Sequence, residues 1–161
     1  MKLRAAVNAS VVGIAMFMAA CGPSPARQDL LKQLVGTKAA ITTGLSMAAL
    51  TEHETQIRAA AELAERDLNV SQRQAVDAAI DAIAKTRAAW QLTFERCYRG
   101  DHDDEVIPLG CDGAMIKNFE ALGVGKRMPI EKSAPRNQVI GPLLDVCFQR
   151  IQAAIDGLKA V

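Results

Sequence analysis

The chain reads as an all-α protein, an antiparallel bundle of about four helices with an irregular, disulfide-stapled loop. Apolar residues recur three and four apart over long stretches, the spacing of one helix face, and no stretch alternates with a period of two. Half the residues are hydrophobic while aromatics make up only 4%. Such an alanine-rich, aromatic-poor composition favours helices packed closely on one another over a sheet with a bulky core.

The first helix is expected from about Gln28 to Thr43, with Leu30, Leu34, Ile41 and Leu45 on one face and a break at Gly44-Leu45-Ser46. A second covers about Met47 to Asp67, striped by Leu50, Ile57, Ala60, Ala61, Ala64 and Leu68. Thr51-Glu52-His53-Glu54 has the form of a capping box, which allows a start nearer Thr51. Asn69-Val70-Ser71 ends it, with Ser71 read as the N-cap of the next helix.

The third helix, about Gln72 to Tyr98, carries Val76, Ile80, Ile83, Arg87, Trp90, Phe94 and Cys97 at alternating spacings of four and three. Only Arg87 interrupts that apolar run. Its stem lies along the interface with the charge at the edge, or it pairs with an ion on a neighbouring helix. From Arg99 to Arg136 the pattern loosens. Asp101 to Glu105 is an acidic loop, Pro108-Leu109-Gly110 a turn, and Ala114 to Leu122 a short helix stopped by Gly123-Val124-Gly125. The last helix runs to about Lys159, with Ile140, Leu144, Cys147, Ile151, Ala154, Ile155 and Leu158 aligned. Either it starts at Gly141-Pro142, or it starts near Pro135 and contains Pro142.

The first 21 residues follow a different logic. Met1-Lys2-Leu3-Arg4 is basic, Ala5 to Ala20 is mainly apolar, and 16 residues are too few to span a bilayer comfortably. Cleavage by an ordinary signal peptidase after Ala20 would put bulky Met18 where a small residue is wanted. Met18-Ala19-Ala20-Cys21 instead resembles the lipobox of bacterial lipoprotein precursors, with Met in place of the usual Leu. The resemblance covers this leader alone. It implies removal of residues 1–20, a thioether-linked diacylglycerol on Cys21, and acylation, such as palmitate, on the new amino group. Several acyl chains make a practically permanent membrane anchor. Gly22 follows the cysteine, not the Asp that often retains such proteins at the inner membrane, so the expected site is the periplasmic face of the outer membrane. The domain organisation is then a signal at 1–20, a stiff tether at 21–27 and a helical periplasmic domain at 28–161.

The 141 residues left after cleavage suit one domain. Charge is nearly balanced, 19 basic against 18 acidic, and removal of Lys2 and Arg4 lowers the basic count to 17. That offers no field to attract nucleic acid, and no nucleic-acid partner is expected.

Three cysteines follow Cys21, in a compartment that permits disulfides. The preferred pair is Cys97–Cys111, which closes a loop of roughly 15 residues, worth about 3 kcal/mol in the chain-entropy picture. The rival is Cys97–Cys147, both on inward stripes. The odd cysteine is then a small buried hydrophobe or a free thiol. No C-x-x-C exists to hold metal or shuttle electrons.

Other chemistry is thinly supported. Asp101, Asp103, Glu105 and Asp112 are spaced like a calcium loop, but Val106 stands where Gly is demanded and Asp112 where Glu is. Gly123-Val124-Gly125-Lys126-Arg127 lacks the G-x-x-x-x-G-K-[ST] frame. His53 and His102, the two histidines, lie among acidic residues without a nucleophile in sequence context. No cofactor, metal or catalytic residue is assigned. The expected work is binding: a structural or interaction role in the envelope, as accessory subunit or protective inhibitor, through a protein partner and the lipid-anchored membrane. A small-ligand module is the alternative, and an enzyme the third.

Overall fold

A computed structural model describes residues 22–91, 106–107, 117, 120–123 and 134–160. Its frame is four long helices: α1 (Pro25–Thr43), α2 (Met47–Ala64), α3 (Val70–Gln91) and α4 (Arg136–Lys159). A single 3-10 turn, Glu65–Asp67, joins α2 to α3. Beside the helices stands a two-residue antiparallel pairing, Val106–Ile107 with Ala134–Pro135, next to the start of α4.

The fold is an antiparallel bundle. Neighbours pack in a closed ring, α1 on α2, α2 on α3, α3 on α4 and α4 on α1, with α3–α4 the most extensive interface. Direction is fixed by polar ties at one end. Ser24 Oγ donates to the Asp67 carboxylate, Arg27 donates to the Leu158 carbonyl, and Gln72 Nε2 donates to the Gly157 carbonyl at 2.8 Å. The N-termini of α1 and α3 therefore share an end with the C-termini of α2 and α4.

Local chemistry sets the helix limits. α1 starts at Pro25, three residues before the expected Gln28, so Pro25–Arg27 belong to the bundle and not to the tether. Pro25 loses no bond at a position whose N–H has no intrahelical acceptor, and Ser24 Oγ accepts from the Arg27 N–H at 3.1 Å. Gly44 ends α1 with φ 97°, a conformation that side chains oppose. Ser46 caps α2 by accepting from the Ala49 N–H, so the helix starts at Met47 and Thr51 lies inside it. The expected Ser71 cap is corrected: Asn69 holds that place, its Oδ1 accepting from the Gln72 N–H at 2.9 Å. Gln72 Oε1 accepts from the Asn69 N–H at 3.1 Å, completing a reciprocal pair. Ser71 only donates to Asn69 Oδ1.

α4 takes the longer of its two expected forms, starting at Arg136 with Pro142 inside. Without an N–H, Pro142 cannot serve the carbonyl one turn back. Leu143 is fully buried where the stripe reading named Leu144, which is half-buried. Gly123, at φ 74°, donates its N–H to Glu120 O at 2.9 Å and turns the chain where a helix end was expected.

Leu30, Leu34, Leu50, Ile57, Ile83 and Ile151 are completely buried, and alanines fill the places between them: Ala60, Ala64, Ala79, Ala82, Ala89 and Ala154. Each large side chain removed from water contributes about 1.5–3 kcal/mol. The alanines let the backbones approach closely. No described helix is long and apolar enough to cross a membrane.

The capping assignment makes a clean prediction. Asn69→Ala is expected to lower unfolding free energy in urea by about 1 kcal/mol, while Ser71→Ala changes it by less than about 0.5 kcal/mol. The reverse order would restore Ser71 as the cap.

Candidate functional site

The sequence marks Arg87 as the odd member of the α3 stripe, and its partner is Glu54 of α2. Arg87 Nε donates to Glu54 Oε2 at 2.7 Å, and Arg58 meets Glu54 Oε1 at 2.9 Å from one turn further along α2. Arg87 also donates to Gln91 Oε1 at 3.0 Å. Glu54 is only 6% exposed. A carboxylate so withdrawn from water is sustained by having both oxygens bound by guanidinium donors. The interhelical ion pair, one of the two roles open to Arg87 in the sequence, is the one it fills.

Two hydroxyls complete the polar layer. Thr37 of α1, fully buried, donates from Oγ1 to the Gln33 carbonyl at 2.8 Å. Its only proton is thereby used, so the 3.1 Å contact with His53 Nδ1 has the imidazole N–H as donor. Thr86 of α3 lies 3.1 Å from Cys147 Sγ of α4, and both are completely buried. Burial pushes the Cys147 thiol up from 9.0 to about 11, with the Thr86 hydrogen bond pulling weakly the other way. Cys147 is free, so the rival Cys97–Cys147 bridge is not formed. Of the two roles left for an odd cysteine, it fills that of a small buried hydrophobe.

Further toward the tied end, α2, α3 and their connection line a groove of about 300 Å³. Ala61, Leu68, Val76 and Ile80 give it an aliphatic lining, and Arg58, Glu62, Glu65, Arg73 and Asp77 supply the charges. Glu65 and Arg73 bridge across it at 3.1 Å. Glu62 and Asp77 have no ion-pair partner among the described residues. All five charged side chains are exposed, so this is an open groove, not a sealed chamber. An apolar lining under a charged rim can seat an amphipathic group. Sequence periodicity identified its aliphatic lining but not the groove, because a stripe does not reveal which of its members two helices leave uncovered.

The other candidate residues are scattered. His53 is engaged with the Thr37 hydroxyl, which is fully buried and donates to the Gln33 carbonyl. Cys21, Cys97, Cys111, His102, the Asp101–Glu105 run, Asp112 and residues 124–127 lie outside the described residues. No disulfide, and no group of three metal-ligating side chains, occurs among the described ones. No protein-family model, curated protein or solved structure matches this chain.

Two outcomes check this layer. Arg87→Met is expected to destabilise the bundle by about 1–3 kcal/mol in urea, because Glu54 loses its interhelical donor. Arg58→Met, acting at an arginine that is half exposed, should cost under about 1 kcal/mol. For Cys147, the folded thiol holds its proton more tightly than the unfolded one. Stability from that difference is complete below pH 9 and is lost as pH rises toward 11. A Cys147→Ala variant should show a shallower fall in urea midpoint over that alkaline window.

Proposed function

We propose that the chain is the precursor of a membrane-anchored helical envelope lipoprotein, with a binding or structural role as accessory subunit or protective inhibitor. The single observation that carries this reading is the tetrapeptide Met18-Ala19-Ala20-Cys21 behind a short basic and apolar leader. What supports it from the fold is the start of α1 at Pro25, with Ser24 already acting as its cap. The proposed location is the periplasmic face of the outer membrane, with residues 1–20 removed and acyl chains on Cys21.

The proposed staple is Cys97–Cys111, and Cys147 remains reduced beside Thr86. The second reading, a small-ligand module, is favoured by the α2–α3 groove and its unpaired Glu62 and Asp77. A cationic, partly apolar molecule retained in native mass spectra of the purified protein, and lost on Glu62→Gln with Asp77→Asn, would establish it.

Cys21→Ser is expected to abolish incorporation of labelled palmitate and to leave the leader uncleaved or the protein outside the membrane fraction. Persistence of lipid label on that variant would refute the anchor. In denaturant without reductant, the acylated protein is expected to take up one alkyl group per chain, at Cys147. After reduction it should take up three.

A further inference from the structure

The end of the bundle where α1 begins carries a second feature. Among the described residues the exposed large hydrophobic side chains are Val35, Leu63 and Val70, and two of these flank the connection between α2 and α3. Leu63, at the last turn of α2, and Val70, at the first position of α3, are each 74% exposed. That connection is bonded to the root of the tether, since Ser24 Oγ caps α1 and also donates to Asp67.

Distance then limits what lies opposite. Two residues, Gly22 and Pro23, lie between Cys21 and Ser24, and the three chain steps gain at most about 3.6 Å each, so the reach is about 11 Å. A domain held that closely keeps its tied end beside the lipid surface. Arg66, in the connection, and Lys159, at the end of α4, are exposed here and have no ion-pair partner among the described residues. Of the nearby acids, Asp67 is engaged by Ser24 and Glu65 by Arg73, while Glu62, beside Leu63, has no ion-pair partner among the described residues.

We propose that the α2–α3 connection is a foot that rests in the interfacial layer of the bilayer, with Leu63 and Val70 inserted and Arg66 and Lys159 against lipid phosphates. This rests on the reading of Cys21 as the lipid-bearing residue. Two aliphatic side chains contribute too little to bind a membrane from solution. Once the anchor makes the encounter intramolecular, that small term suffices to orient the domain. The bundle stands end-on, its α1–α2 turn at Gly44 pointing away from the lipid.

The test uses the acylated full-length product in phosphatidylethanolamine–phosphatidylglycerol vesicles, with part of the lipid brominated high on the acyl chains. In a Trp90→Phe background, a single tryptophan reporter is introduced by Leu63→Trp, Val70→Trp or, at the far end, Thr42→Trp. All three positions are exposed, and helix content by circular dichroism confirms folding. Interfacial side chains sit about 5–10 Å into the headgroup boundary, so emission loss to bromine should be at least about twofold greater at 63 and 70 than at 42. Equal loss at all three positions, or none at 63 and 70, would overturn the foot while intact acylation by mass spectrometry left the anchor standing. Absence of the acyl mass would remove both together.

Discussion

The bundle depends on close approach between alanine-faced helices. With few aromatic side chains to fill a wide interior, the backbones must come near enough for Ala60, Ala79, Ala82 and Ala154 to be covered by Leu and Ile from opposite helices. A narrow interface leaves little room for water. Every polar side chain that falls within it must therefore find a partner on the protein. Glu54, Gln72, Thr37 and Thr86 are the four buried polar residues described, and each has one. Arg27 Nε alone is buried without a partner, although the same guanidinium reaches the Leu158 carbonyl.

These partners explain what could be read from the residues in order. The four helices were legible because their apolar stripes have a helical period. The alternating direction of α1, α2 and α3 followed from their short connections. That of α4, which lies beyond the loosely patterned Arg99–Arg136 stretch, is fixed by its polar ties to Arg27 and Gln72. Arg87 was legible as an anomaly, but not its partner, because Glu54 lies 33 residues away and pairing across helices leaves no local trace. Asn69 and Ser71 are both good caps by chemistry, and only backbone geometry separates them. Pro142 left two starts open for a similar reason: proline disfavours a helix interior locally, while the extensive packing of α4 on α3 accompanies the longer form. Leu143 and Leu144 are adjacent, and the turn of the helix through Pro142 decides which faces inward.

The groove was hidden for a different cause. Its aliphatic residues read as members of the core stripes, and the charges of Glu62, Arg73 and Asp77 are what any exposed turn carries. What separates these charges from an ordinary solvated face is the aliphatic floor that Ala61, Leu68, Val76 and Ile80 make beneath them. Cys147 was narrowed further, because a cysteine on an inward stripe either bridges or packs. Its contact with Thr86 and its complete burial fix the second.

The polar ties at the head of α1 also govern how the molecule carries load. Ser24 and Arg27 connect the beginning of the first helix to the α2–α3 connection and to the last turn of α4. Traction applied at Gly22 runs along the axis of α1, so the helix would have to slide past both neighbours rather than peel away from them. Leu30 and Leu34, buried one and two turns in, would leave the core in the same movement. A grip on the leading end of this chain is thus resisted by several contacts in parallel.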